Sequence, residues 1–180
     1  MSPFGVVVAD CPWKFGDKLP GAGRGAEKHY TCMDLAKLCA FPLPPIADDA
    51  WLIFWRVGSM QAEALAVIAA WGFKPPVSEL IWVKTAKAGG LRWGMGRSVR
   101  NCHEVALVCK RGKPERASAS VPSVIFAPRG EHSEKPQAFY AAVEKLTGAE
   151  ASRVELFGRR QRDGWTVLGD ESDKFTAVKR

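Results

Sequence analysis

The chain has 180 residues, 47% of them hydrophobic and 25% charged, which is the composition of one soluble globular domain with a full core. Its formal charge of +7 and pI near 9.3 favour an anionic partner, nucleic acid first. No apolar run is long enough for a membrane span, and no export signal opens the chain, so a cytoplasmic location is expected.

The first predicted element is a strand, Val6–Ala9, running straight into Asp10-Cys11-Pro12-Trp13. A carboxylate and an indole do not belong in an apolar core without partners. Residues 15–28 follow with four glycines and read as a loop that orders over a ligand. Gly21 to Gly25 fits neither phosphate-loop spacing and is set aside. Asp34–Cys39 predicts a short helix and Trp51–Trp55 a buried strand. Met60–Trp71 has helical apolar spacing, with Ser59 as cap and Gly72 as stop. Strands are predicted at Leu80–Lys84, Val105–Cys109 and Val124–Ala127. A helix is predicted from Pro136 to Leu146, with proline in its first turn. Two last strands, Val154–Phe157 and Trp165–Leu168, lie close enough to suggest an antiparallel edge.

The alternation predicts a single α/β domain over residues 1–180. Its core would be a mostly parallel, twisted, Rossmann-like sheet of about seven strands with helices on both faces. Ligands of such sheets collect at the carboxyl ends of the strands, and that is where Asp10 stands. The predicted role for Asp10 to Trp13 follows from chemistry. Trp13 on the stiff turn of Pro12 would stack on a flat base. Asp10 and the carbonyl of Cys11 would accept hydrogen bonds from an exocyclic amine, drawing it towards a tetrahedral, nucleophilic geometry. That chemistry needs no metal.

Charge is concentrated in loops. Lys84, Lys87, Arg92, Arg97 and Arg100 occur with no acidic residue between them, and four more cations lie from Lys110 to Arg116 against Glu115 alone. Lys84, Arg92, Arg97 and Arg100 are candidate contacts to a nucleic-acid backbone. The five cysteines form no C-x-x-C and are odd in number, so they read as reduced thiols without a metal site. Cys102 beside His103 suggests a nucleophile pair, but neighbours on a strand face opposite ways and burial is the simpler reading.

D-C-P-W resembles the Asp-Pro-Pro-Trp signature of S-adenosylmethionine-dependent adenine-N6 methyltransferases, the family of mRNA adenosine methyltransferases and of phage and bacterial DNA enzymes. The resemblance covers nearly the whole chain. It includes Tyr30 to Met33, Leu52 to Trp55, Trp71-Gly72-Phe73, Leu80 to Thr85, His103-Glu104, His132 to Pro136, Glu155 to Arg159, Gly164-Trp165 and Leu168 to Asp170. The motif order is that of the circularly permuted class.

The resemblance implies methyl transfer to adenine N6, with Asp10, Cys11, Pro12 and Trp13 catalytic and S-adenosylmethionine as cofactor. DNA is favoured because the chain is small and stands alone. RNA, or a catalytically silent nucleic-acid-binding partner subunit, stays open. Asp10 and Lys135 would hold the cofactor's ammonium and carboxylate, Lys135 at a helix start capped by Ser133. Phe157, Gly158, Arg159, Gln161, Gly169 and Asp170 would meet its ribose and adenine, and Tyr30 would close over the target base. Trp55, Trp82 and Glu155 are undecided between core and pocket. Cys11 departs from the family's proline, and only nine residues precede Asp10, so recognition of the cofactor's adenine is expected to come from elsewhere in the chain. Paired copies and a bacterial or phage-infected host cytoplasm fit the resemblance.

Overall fold

The structure is a computed structural model that describes residues 2–14, 32–96, 98–130 and 134–169. Seven strands form one sheet: β1 (Phe4–Ala9), β2 (Ile46–Arg56), β3 (Ser78–Thr85), β4 (His103–Arg111), β5 (Val124–Pro128), β6 (Arg153–Leu156) and β7 (Thr166–Leu168). Their spatial order is β5-β3-β4-β2-β1-β6-β7. Every neighbouring pair is parallel except the two made by β4, which runs against β2 and β3. The reversal has a simple cause. Among the described residues between 86 and 102 there is no helix to carry the chain back across the sheet, so β4 returns as an antiparallel neighbour of β3.

Alternation within the strands sorts the core into two layers. Val7, Ala9, Leu52, Phe54, Leu107 and Leu156 face α1 (Leu35–Cys39) and α2 (Gln61–Ala70). Val6, Val8, Ile53, Trp55, Ala106 and Val167 face α3 (Gln137–Thr147), which inserts Phe139, Tyr140, Val143 and Leu146. Helices therefore cover both faces of the sheet. Two tryptophans tie elements together from inside: the Trp71 indole donates to Leu38 O at 2.9 Å, and that of Trp82 to Ala127 O at 2.9 Å. Trp82 is thus a core residue.

Three sequence expectations change. The β6–β7 edge is parallel, not antiparallel. β7 has only three residues, so the nine-residue connection 157–165 can run back beside it and start it again from the same end. Trp165 anchors that return on α3, donating to Glu144 Oε1 at 2.8 Å and packing edge-on to Tyr140 at 5.6 Å. Ser59 does not cap α2. A turn of 3-10 helix at Gly58–Met60 precedes that helix, and its N-cap, Met60, makes no side-chain bond. Pro136 is the N-cap of α3 rather than its first residue. Asp34 does cap α1, accepting from Lys37 N–H at 2.8 Å. Gly72 does stop α2, with a φ of 78° that a side chain would strain.

Phe139 is fully buried and packs on Trp55 with ring centroids 4.5 Å apart. Phe139→Ala is expected to cost about 3–5 kcal/mol, read by urea denaturation as a lower midpoint at unchanged slope.

Candidate active site

The carboxyl ends of the parallel strands meet at one end of the sheet, and the reversal of β4 brings its first residues there too. Asp10 leaves β1, Lys84 stands near the end of β3, Glu104 near the start of β4, and Lys135 follows β5 on the approach to α3. Their charged groups form a chain of alternating sign. Lys135 Nζ lies 2.8 Å from Asp10 Oδ2 and 2.9 Å from Glu104 Oε2, and Lys84 Nζ lies 2.6 Å from Glu104 Oε1. Lys135 is the buried centre, with its side chain 9% exposed against 41% for Asp10. Its ammonium also sits 4.6 Å above the Trp55 ring, a cation–π contact that helps to replace lost water.

The electrostatics follow from burial and partners. Burial alone would push the Glu104 carboxyl up, but Lys135 and Lys84 overcome this and hold it at about 2, against an ordinary 4.5. Burial would pull the Lys135 pKa down, yet Asp10 and Glu104 outweigh it and raise it above its ordinary value. Both groups stay charged through neutral pH.

The D-C-P-W turn differs from expectation. Trp13 N–H donates to Cys11 O at 2.9 Å, so the Cys11 carbonyl proposed for the target amine already has one partner. Met33 N–H donates to Pro12 O and Lys14 N–H to Met33 O, at 2.7 and 3.0 Å. These bonds fold the turn back onto the α1–α2 face. Trp13 is consequently 3% exposed and packs edge-on to Phe54 at 6.2 Å, instead of standing open as a stacking plate. Its Nε1 and that of Trp55 are buried with no hydrogen-bond partner among the described residues. The Cys11 thiol is buried too, and burial, then Asp10, pushes its pKa up, so it is no nucleophile.

The remaining predicted residues divide. Phe157 leaves β6 at a φ of 61° and packs on Phe41 at 4.7 Å. Gly158 and Gly169 lie against each other where β6 and β7 end, with Gly158 N–H bonded to Leu168 O; a Cβ on Gly158 would strike Val167 and Glu155. Arg159 is half-buried and Gln161 exposed. Lys84, expected on phosphate, is held by Glu104. Lys135 is not a free cation at a helix start but is shared by two carboxylates. Glu155 accepts from Tyr140 Oη–H at 2.8 Å, a structural partner on the α3 side. Burial, first among its causes, raises the Glu155 pKa. Arg92 and Arg100 are exposed on the loop after β3. Tyr30, Arg97, His132, Ser133, Asp170 and the glycine-rich segment lie outside the described residues. Cys102 is half-buried, and its carbonyl accepts from Lys84 N–H at 2.7 Å. Among the described residues no group of His, Cys, Asp and Glu could hold a metal ion, and no helix is long and apolar enough to cross a membrane.

Glu104 is the site residue that sequence reasoning passed over. Its signal was an acid opening a strand directly after a long loop without one.

Residues 4–171 match the MT-A70 family model. The chain belongs to the MT-A70 family. It is 30% identical over 185 residues to the type II methyltransferase M.MunI of a Mycoplasma species, a match covering 92% of this chain and 76% of that protein. It is also 30% identical to the N(6)-adenosine-methyltransferase MT-A70-like protein of Drosophila melanogaster, over 99% of this chain and 28% of that one. Identity to the human N(6)-adenosine-methyltransferase catalytic subunit METTL3 is 29%, over 96% of this chain and 29% of the relative. The chain thus spans about three quarters of the first relative and under a third of the other two. The Rossmann-like sheet is the fold of this MT-A70 methyltransferase family.

The Glu104 carboxyl gives a pH test. Its folded pKa lies below the unfolded value, so its contribution is complete above pH 4.5 and is lost as pH falls towards about 2. Glu104→Gln should remove that dependence. Urea unfolding between about pH 5 and pH 2.5 should show wild-type stability falling more steeply than that of the variant; parallel curves would contradict the assignment.

Proposed function

We propose that this protein transfers a methyl group from S-adenosylmethionine to the N6 amine of adenine in DNA. The observation that carries the reading is Asp10: a half-exposed carboxylate at the exit of β1, tied by Lys135 to Glu104 where the strands end. A metal is not required, because the chemistry asks only for an oriented amine beside an electrophilic methyl.

The residues present fit the cofactor in kind. Asp10 offers a carboxylate to its ammonium, Lys135 a cation near its carboxylate, and the partly buried Phe157 ring an apolar edge beside the β6–β7 exit. The orphaned indole N–H groups of Trp13 and Trp55 are donors in want of acceptors at the same end. When bound, S-adenosylmethionine supplies a methyl group on a positively charged sulfur. The rest falls to the chain. Asp10 accepts an amine N–H and localises the nitrogen lone pair, and the second lone pair of the Cys11 carbonyl can take the other N–H. Lys135 must then share Asp10 with the amine, and Glu104 holds the lysine while it does so. The proton shed by the methylated amine leaves through the exposed side of Asp10.

Support for DNA comes from the sequence resemblance to bacterial and phage DNA enzymes and from the type II methyltransferase matched over most of its own length. RNA is the second reading, favoured by the adenosine methyltransferases that match almost all of this chain.

The test is incubation with methyl-labelled cofactor and matched DNA and RNA oligonucleotides, followed by nucleoside analysis. N6-methyladenine in DNA is expected, and label confined to RNA would transfer the reading to the second substrate. No label in either would overturn both. Asp10→Asn should lower turnover by about 10²–10³-fold with the melting temperature little changed. Turnover within a factor of two of wild type would remove Asp10 from the reaction.

A further inference from the structure

The loop that joins β3 to β4 carries an aromatic ring that the fold does not use. Trp93 is 69% exposed and Met95 89%, although six other tryptophans in the chain are buried. The loop is held from both sides. Arg92 N–H donates to Lys84 O at 2.7 Å, Gly94 N–H to Asn101 O at 2.8 Å, and the Arg100 guanidinium reaches Gly94 O at 3.5 Å. A Cβ on Gly94 would come within 2.6 Å of Asn101 O, so glycine is what permits this approach. The indole is therefore displayed from a bonded backbone.

Between the ends of β3 and β5 is a cavity of about 450 Å³ lined by Lys87, Arg92 and Arg129 together with Thr85, Ala86, Pro128 and Gly130, and Trp93 follows its Arg92 directly in the chain. The volume is that of a ligand site, and three of these seven residues are cations. Of the nearby acids, Glu134 stands against Gly130 on the cavity wall with its charge paired to Arg160 at 2.9 Å, and Glu104 is paired with Lys84 and Lys135. Thr85, on the cavity wall, directly follows Lys84 of the ion chain that ends at Asp10. The cavity and the candidate active site thus share one strand end.

We infer that this face holds an unstacked nucleotide next to the target: its phosphate in the cavity among Lys87, Arg92 and Arg129, its base on the Trp93 indole. Cations alone would suit any anion. An exposed indole one residue along the chain from one of those cations adds the second half of single-strand recognition, since base stacking on an aromatic ring requires a base free of its neighbours. A flipped target base leaves its neighbours partly unstacked, and a ring that takes one of them offsets part of that cost. The inference rests on the reading of the chain as a nucleic-acid methyltransferase, and it names the strand state that enzyme grips.

The test is binding of fluorescein-labelled single-stranded and duplex adenine-containing oligonucleotides, by anisotropy, from about 50 to 200 mM salt. Trp93→Ala should weaken single-strand binding about tenfold without changing the salt slope, and Trp93→Phe should keep most of the affinity. Arg92→Ala combined with Arg129→Ala should instead flatten the log–log slope by about 0.7, the counterion release of the one phosphate held there on a single strand. Unchanged single-strand affinity in Trp93→Ala would overturn the inference. So would a Trp93→Ala protein that sediments as a smaller species with its oligonucleotide affinity intact, because the face would then be a protein interface. The two readings fail separately. A wild-type protein that methylates nucleic acid while Trp93→Ala binds normally removes only this inference. A wild-type protein that grips single strands through Trp93 but transfers no methyl removes only the enzyme.

Discussion

Two carboxylates and two ammonium groups alternate across the open end of the sheet, and the rest of the site depends on that ion chain. Lys135 is the constrained member. Removing an ammonium from water costs several kcal/mol unless opposite charges and hydrogen bonds replace it. Asp10 and Glu104 do so here, with the Trp55 ring beneath. The arrangement is asymmetric in a useful way. Glu104 is clamped between two lysines, whereas Asp10 touches Lys135 from the solvent side and is the more exposed of the two acids. A ligand amine competing for Asp10 would leave Lys135 with Glu104, so the buried ammonium would never be stranded.

The sheet makes this possible through its one irregularity. An all-parallel sheet delivers only strand ends to its ligand face. Reversal of β4 delivers a strand start instead, and Glu104 arrives between the exits of β3 and β2. On the other side of β1, the short parallel pair β6–β7 brings Gly158 against Gly169, a contact that side chains would prevent. The Gly158–Gly169 contact and the ion chain therefore flank Asp10 from opposite directions along the sheet.

Much of this was legible in the sequence, because short apolar runs separated by glycine and proline locate strands well. Among the described residues, each of the seven strands and three α-helices overlaps a predicted one, although β2 starts at Ile46 rather than Trp51, and Asp10 stands at the predicted end of β1. Apart from the two helix starts, the failures have a common origin in long-range pairing. The direction of β7 depends on how Trp165 docks on α3, and no local signal encodes that. Trp13 reads as a surface plate from its place after Pro12, but backbone bonds to Met33, twenty residues away, turn it inward. Lys84 and Lys135 read as free cations until Glu104 is brought between them by a strand register. The matched family strengthens the functional reading through segments spread along the whole chain, which four residues alone could not do.

The central claim is that Asp10 exchanges an ammonium partner for an amine. The direct measurement is a crystal structure of the protein with a cofactor analogue and an adenine-containing oligonucleotide. The account requires an adenine amino group within hydrogen-bond distance of the Asp10 carboxylate, with Lys135 still against Glu104. An adenine bound elsewhere, with the Asp10–Lys135 contact closed and Asp10 facing no ligand, would contradict it.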